Sequence, residues 1–303
     1  MKSKSVSYLG LSLIISLFSI LSSCNSKPAN KGDESQNESV KVDEDLVNDF
    51  NKSKHIFYSL PSPLETAMLI KKSGSVYNED LLNPVENITK YNSNYKMALN
   101  LGVYSADLSY TSLFDQNQTS IRYMGNARKL ADGLGILGAI DEKSIEKLQD
   151  NMNNREMVLE IISETFLNSN AYLSENNRPT IAVMVLVGGW VEGLYLATKL
   201  TNESMDNKKL IERIIYQKLS LETVISLIDE YNDSEEMGLL RVKMDELRSI
   251  YNNVEIKRGG VEASTNAETQ VTTIKTDSEA YMSPEVFKAL LKKVEEIRGE
   301  FIS

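Results

Sequence analysis

Residues 93–114, SNYKMALNLGVYSADLSYTSLF, and residues 180–200, TIAVMVLVGGWVEGLYLATKL, decide the fold. Each is long enough for five or six helical turns and apolar nearly all the way round. A helix with no polar face has to be buried, either in lipid or inside other helices. The second stretch is long enough to span a bilayer. Glu192 sits near its middle, where a carboxylate is costly in hydrocarbon. The flanking sequence also offers amphipathic helices that need something apolar to cover. Both stretches therefore read as core helices of an all-α domain.

Working outward, the neighbouring segments carry helix punctuation. Ser62-Pro63-Leu64-Glu65 is a capping box with proline at the first helical position, opening a helix to about Lys72 that Ser73-Gly74 ends. Asn83-Pro84-Val85-Glu86 repeats the device for a shorter helix. Further helices are expected over about Thr119–Leu134 with Gly133 and Gly135 as the stop, Asp141–Asn151, Arg155–Leu173, 206–231 and 235–252. Val254–Ile256 and Gln270–Ile274 are β-branched and alternating, with GGVEASTNAE between them, which predicts a small β-hairpin or a mobile extended arm. Ser283-Pro284-Glu285 caps a last helix to about Phe301. Helix lengths vary without a strict period, so the expected fold is a multi-helix bundle or irregular stacked helical hairpins, with the hairpin or arm before the last helix.

The N-terminus carries an address. Lys2 and Lys4 precede a 14-residue apolar run, Tyr8 to Leu21, the length of a signal-peptide core. Leu21-Ser22-Ser23-Cys24 resembles the lipobox of bacterial lipoproteins. That resemblance implies cleavage before Cys24, diacylglycerol on its thiol and an acyl chain such as palmitate on the new amine. Several chains at about 0.8 kcal/mol per buried methylene hold a protein firmly to a membrane. Asn25 in place of an aspartate is similar to the pattern that enteric bacteria sort to the outer membrane, with the periplasmic or surface face left open. The polar stretch after Cys24 reads as a disordered tether. The expected organisation is a signal peptide over 1–23, lipidated Cys24 and tether over 24–55, a helical domain over 56–253, the arm over 254–282, and a C-terminal helix over 283–303 packed on the helical domain.

Composition removes several function classes. With 33 Lys+Arg against 43 Asp+Glu the formal charge is -10, which opposes nucleic-acid binding and a polybasic grip on lipid. Cys24 is the single cysteine and His55 the single histidine. No disulfide, no zinc constellation and no ordinary histidine-based nucleophile follows from that inventory, and neither a phosphate loop nor a dinucleotide fingerprint is present. No cofactor and no metal site is expected.

What remains is polar groups on apolar helices. At about 100° per residue, Asn100, Tyr104, Asp107 and Thr111 fall within roughly 60° of arc and form one polar stripe. On the second helix Glu192 lies one turn after Gly188 and Gly189 and just before Tyr195, with Trp190 beside it and Lys199 two turns on. The glycines leave a floor for either another backbone or a ligand. Buried acids need partners, and Arg122, Arg128, Arg155 and Arg178 are available. Asp107 and Glu192 can then be packing determinants held by an arginine, a tyrosine hydroxyl or a helix N-terminus. They can instead line a cleft for a small ligand or cation, or act as an acid and base pair. Tyr91, Tyr95, Tyr104, Tyr110 and Tyr123 gather in one region and, with amides and acids, suit either a core rim or a sugar site. The candidate ligand-binding set is Asn100, Tyr104, Asp107, Gly188, Gly189, Trp190, Glu192 and Tyr195.

Three stretches, YSLPSPLETAMLIKKSG (58–74), LLNPVENITKYNSNYKMALNLGVYSADLSY (81–110) and VGGWVEGLYLA (187–197), resemble a family of Bacteroidota lipoproteins with no established activity. The resemblance implies the envelope address and the helical fold and carries no catalytic residues. The combined reading is a lipid-anchored envelope protein, held to the membrane through Cys24, that binds an envelope protein partner or a small ligand without catalysis. The alternative is a carboxylate-dependent hydrolase of envelope glycans, which needs Asp107 and Glu192, or another acid pair, facing one solvent-reachable cleft.

Overall fold

Helix starts and stops follow the local chemistry. In the computed structural model, which describes residues 63–137, 146–148, 150–151, 154–257, 261–265, 272–276 and 279–303, eight long helices are α1 (Pro63–Lys72), α2 (Asn94–Leu113), α3 (Asn117–Gly133), α4 (Arg155–Glu175), α5 (Pro179–Lys199), α6 (Lys208–Glu230), α7 (Glu235–Tyr251) and α8 (Pro284–Phe301). The hydroxyls of Ser93, Ser234 and Ser283 accept the backbone N–H groups of Lys96, Met237 and Val286, and so cap α2, α7 and α8. Gly135, at φ 68°, closes α3 in the left-handed conformation that glycine adopts without penalty. The expected signal peptide and tether, Cys24, His55, the expected Ser62 cap and most of the expected helix over Asp141–Asn151 lie outside the described residues.

The fold is all-α with a small antiparallel hairpin. α5 is the hub, in contact with α1, α2, α4, α6 and α8, and its contact with α2 is the most extensive between any two helices. α2 also packs on α1, α3 and α4, while α6, α7 and α8 stack in succession. Among the described residues α5 is the one helix long and apolar enough to cross a membrane, and 89% of its most apolar window is buried inside the domain. That answers the hydropathy of residues 180–200. The stretch is greasy all round because helices cover it all round.

The hairpin differs in detail from the sequence reading. β1 (Glu255–Lys257) pairs with β4 (Glu279–Tyr281), and β2 (Val261–Thr265) pairs with β3 (Thr272–Thr276). The stretch between the two expected strands thus contains β2, and residues 255 and 256 pair with 281 and 280. Glu255↔Tyr281 and Val261↔Thr276 are out of register by one residue, with three residues separating β1 from β2 and two separating β3 from β4. Val254 and Met282 are buried at the two roots, and the Lys218 ammonium donates to the Val254 carbonyl at 2.7 Å.

Asn83 is a second correction. It does not cap a helix: a 3-10 helix over Val85–Lys90 starts from Pro84 with no side-chain cap, and Asn83 turns inward, fully buried. The reason lies in what its backbone and side chain meet inside.

Candidate functional site

The polar stripe of α2 exists and faces the protein interior. Asn100, Tyr104, Asp107 and Thr111 are all fully buried. Most of the stripe is engaged by residues 81–85, the link between two short 3-10 helices (Glu79–Leu81 and Val85–Lys90), in which Leu82 and Asn83 are buried and Pro84 is exposed. Buried peptide groups need partners, and here side chains supply them. The Asn83 N–H donates to Asp107 Oδ2 at 3.1 Å. The Asn83 carbonyl accepts from the Tyr123 hydroxyl at 2.9 Å, the Pro84 carbonyl from the Tyr104 hydroxyl at 3.0 Å, and the Val85 carbonyl from Asn126 Nδ2 at 2.7 Å. The Leu81 carbonyl accepts from Arg298 Nη2 at 3.1 Å. Side chains of α2, α3 and α8 thus hold the link between the two 3-10 helices.

Asn100 does a second job. Its Nδ2 donates to the Phe301 carbonyl at 2.8 Å, the Tyr91 hydroxyl donates to the Ile302 carbonyl at 3.3 Å, and the Lys96 ammonium donates to the Ser303 carbonyl at 3.1 Å. The last carbonyls of a helix have no partner within it, so these three groups finish α8. Asn83 Nδ2 ties the two arrangements together by donating to Tyr91 Oη at 3.0 Å and to Asn100 Oδ1 at 3.3 Å. Thr111 stands apart, accepting from the Ser120 hydroxyl at 3.0 Å across the contact of α2 with α3.

Glu192, fully buried on α5, is held by Arg298 of α8 through two parallel bonds, Nε to Oε2 at 3.0 Å and Nη2 to Oε1 at 3.1 Å. This is the forked geometry in which a guanidinium matches a carboxylate best. Arg298 also lies over the Tyr195 ring, 4.4 Å from its centroid. Burial pulls the guanidinium pKa down, and the Glu192 charge and hydrogen bonds reverse this and hold it above the usual arginine value. For Asp107, burial pushes the pKa well above the usual carboxylate range and the Glu192 charge pushes the same way, against Arg298 and the Asn83 N–H. Its Oδ1 is buried with no hydrogen-bond partner.

The acids do find an arginine, though none of the four offered by the sequence reading. Arg122 pairs with exposed Glu79 at 2.8 Å, Arg178 donates to the Leu134 carbonyl at 2.7 Å, Arg128 is exposed, and the Arg155 side chain lies outside the described residues. Arg298 was missed, yet it left a signal. It falls on the stripe of Phe287, Leu291, Val294 and Phe301, one charged residue on the buried face of an amphipathic helix.

The glycine floor carries backbone. A Cβ on Gly188 would lie 2.0 Å from the Leu99 carbonyl oxygen, and one on Gly102 would lie 1.9 Å from that of Val185 and 2.5 Å from the Gly189 nitrogen. α2 and α5 therefore cross main chain against main chain, and no room is left there for a ligand. Trp190 points elsewhere. Its indole N–H is shared between Gln217 Oε1 at 3.0 Å and Ser220 Oγ at 3.1 Å on α6. It borders a shallow cleft with Thr66, Gly193, Arg213 and Gln217 that has room for about one water molecule. Lys199 pairs with Glu295 of α8 at 2.9 Å and sits 5.9 Å from the Tyr195 ring centroid. The fold thus brings Asn100, Tyr104, Asp107, Glu192 and Tyr195 into one sealed cluster and leaves Trp190 outside it.

The tyrosines divide likewise. Tyr91, Tyr104 and Tyr123 pack ring against ring around the 81–85 segment, and burial raises all three hydroxyl pKa values. Tyr77 stacks on Tyr110 at 5.3 Å, its hydroxyl pushed up to about 12 by burial and Glu79. Tyr95, half-buried, is pushed up to about 12 by burial and by Glu300 and Glu236. Among the described residues no three His, Cys, Asp or Glu side chains gather as metal ligands. With the acid pair at zero exposure, the cluster can hold charge and protons in place but offers no face to a substrate.

No family model, no curated protein and no solved structure matches this chain.

Proposed function

We propose that this chain is a lipid-anchored envelope protein whose helical domain binds a partner protein or a small ligand without catalysing a reaction. The observation that carries the non-catalytic part is the state of the Asp107–Glu192 pair that the sequence offered as acid and base. Asp107 and Glu192 are fully buried and engaged by Asn83 and Arg298. General acid–base work needs a carboxyl that reaches the proton it moves, and a glycosidase pair needs space for a sugar between its acids. The support for the anchor is the sequence Leu21-Ser22-Ser23-Cys24 behind its apolar run.

Two measurements test this reading. Expressed with its leader in a bacterium that processes lipoproteins, the full chain should incorporate an alkyne-tagged fatty acid and fractionate with outer membranes. The Cys24→Ala chain should do neither, and labelling independent of Cys24 would refute the anchor. Incubated with peptidoglycan and envelope polysaccharides, the protein should release no fragment. Release that disappears in Glu192→Gln would establish the hydrolase instead.

A further inference from the structure

Around Arg298 the formal charges do not balance. Two carboxyls, Asp107 and Glu192, are fully buried, Asp107 feels the charges of both Glu192 and Arg298, and the one guanidinium of Arg298 serves the pair. Both of the guanidinium's bonds to acid go to Glu192, and its third goes to the Leu81 carbonyl. Asp107 receives one backbone N–H on Oδ2, while Oδ1 has no partner. Among the described residues, the other titratable groups facing the cluster are Tyr104 and Tyr110 of α2, Tyr123 of α3, Tyr91 at the end of the Val85–Lys90 3-10 helix and Tyr195 of α5. None of them is a cation. An uncompensated carboxylate in such a place is expensive.

We propose that Asp107 carries a proton in the folded protein and donates it to Glu192, so that one proton latches the 81–85 segment and α8 onto the α2–α5 core. The proton sits on Oδ1, the oxygen without another partner, and the cluster is then neutral: one carboxylate, one guanidinium, one carboxylic acid. Loss of that proton leaves a net buried negative charge and two carboxylates side by side. The elements that can move to relieve it are those held by the cluster, the loop through Asn83 and α8 through Arg298.

The direction with pH follows from linkage. In the unfolded chain Asp107 ionises near the ordinary value of about 3.9. Below that pH the proton is present in both states and the latch is at full strength. Above it the folded state holds one proton more than the unfolded chain, and the folding equilibrium constant falls about tenfold per pH unit until Asp107 ionises in the fold as well. Other groups add their own slopes, so the contribution is read by difference.

The experiment uses the full chain and compares denaturant unfolding from pH 5 to 9 for the native protein, Asp107→Asn and Glu192→Gln. Each variant leaves one acid for one guanidinium. Both should lose this falling component of the pH dependence, and the native protein at neutral pH should show a protonated-carboxyl infrared band absent from both. Amide exchange over 81–85 and α8 should accelerate with pH beyond the intrinsic rate in the native protein only. Should one variant fail to fold, the other variant and the native infrared band still decide. Absence of the band in the native protein at neutral pH, or an unchanged slope in either folded variant, overturns the latch.

Discussion

Arg298→Ala should be among the most damaging single substitutions in the domain, and the structure sets its size. The arginine makes two bonds to Glu192, one to the Leu81 carbonyl and a stacking contact with Tyr195, with 9% of its side chain exposed. Truncation strands Glu192 beside Asp107 with no cation. Breaking a buried ion pair from one side costs about 3–5 kcal/mol. The unsatisfied Leu81 carbonyl and the lost stacking overlap with that figure and do not simply add to it. For a domain of this size each kcal/mol lowers Tm by roughly 2–4 °C, so a drop of about 6–20 °C is expected. Trp190, the only tryptophan and buried against α6, reports unfolding by its fluorescence. Arg298→Lys should recover less than half of the loss, because an ammonium cannot reproduce the forked pair. Combining Arg298→Met with Glu192→Gln should recover most of it, since both charges go together. An Arg298→Ala protein within about 1 kcal/mol of the native one, where exposed pairs fall, would refute the account of the cluster given above.

Other substitutions separate close packing from ordinary contact. Gly102→Ala should cost about 3 kcal/mol or more, beyond the usual overpacking range, because its Cβ would meet the rigid Val185 carbonyl. Gly125→Ala, in α3 with open space around the new methyl, should instead stabilise by about 0.5–1 kcal/mol, and thermal melts of the two variants should move in opposite directions. Tyr123→Phe leaves the Asn83 carbonyl without its donor and should cost about 1–3 kcal/mol by denaturant titration, with faster amide exchange around 83–85. Arg122→Ala breaks a pair whose side chains are 52% and 53% exposed, and should change stability by less than about 1 kcal/mol in the same titration.

The stripe on α2 shows how far the candidate site was legible. Four polar residues on one face of an apolar helix say that polar partners lie opposite, and that much is local arithmetic on 100° per residue. The partners turned out to be peptide groups of residues 81–85 and the end of α8. A loop's route through a core has no periodic signature, so nothing in Asn83-Pro84-Val85-Glu86 distinguishes a helix cap from a strap. The same holds for the hairpin, where alternating residues marked strands and the pairing depended on register between segments the sequence leaves equivalent.

By itself the sequence determined the fold class and most helix boundaries, because caps, stops and apolar periodicity act between residues no more than four apart. Only the tertiary structure decided that Arg298, 106 residues away from Glu192, and not a nearer arginine, answers the charge. It alone decided that Gly102 and Gly188 receive a backbone and not a ligand. These outcomes rest on which helix faces meet. That is fixed by how all the apolar faces pack at once, which no local window of sequence contains.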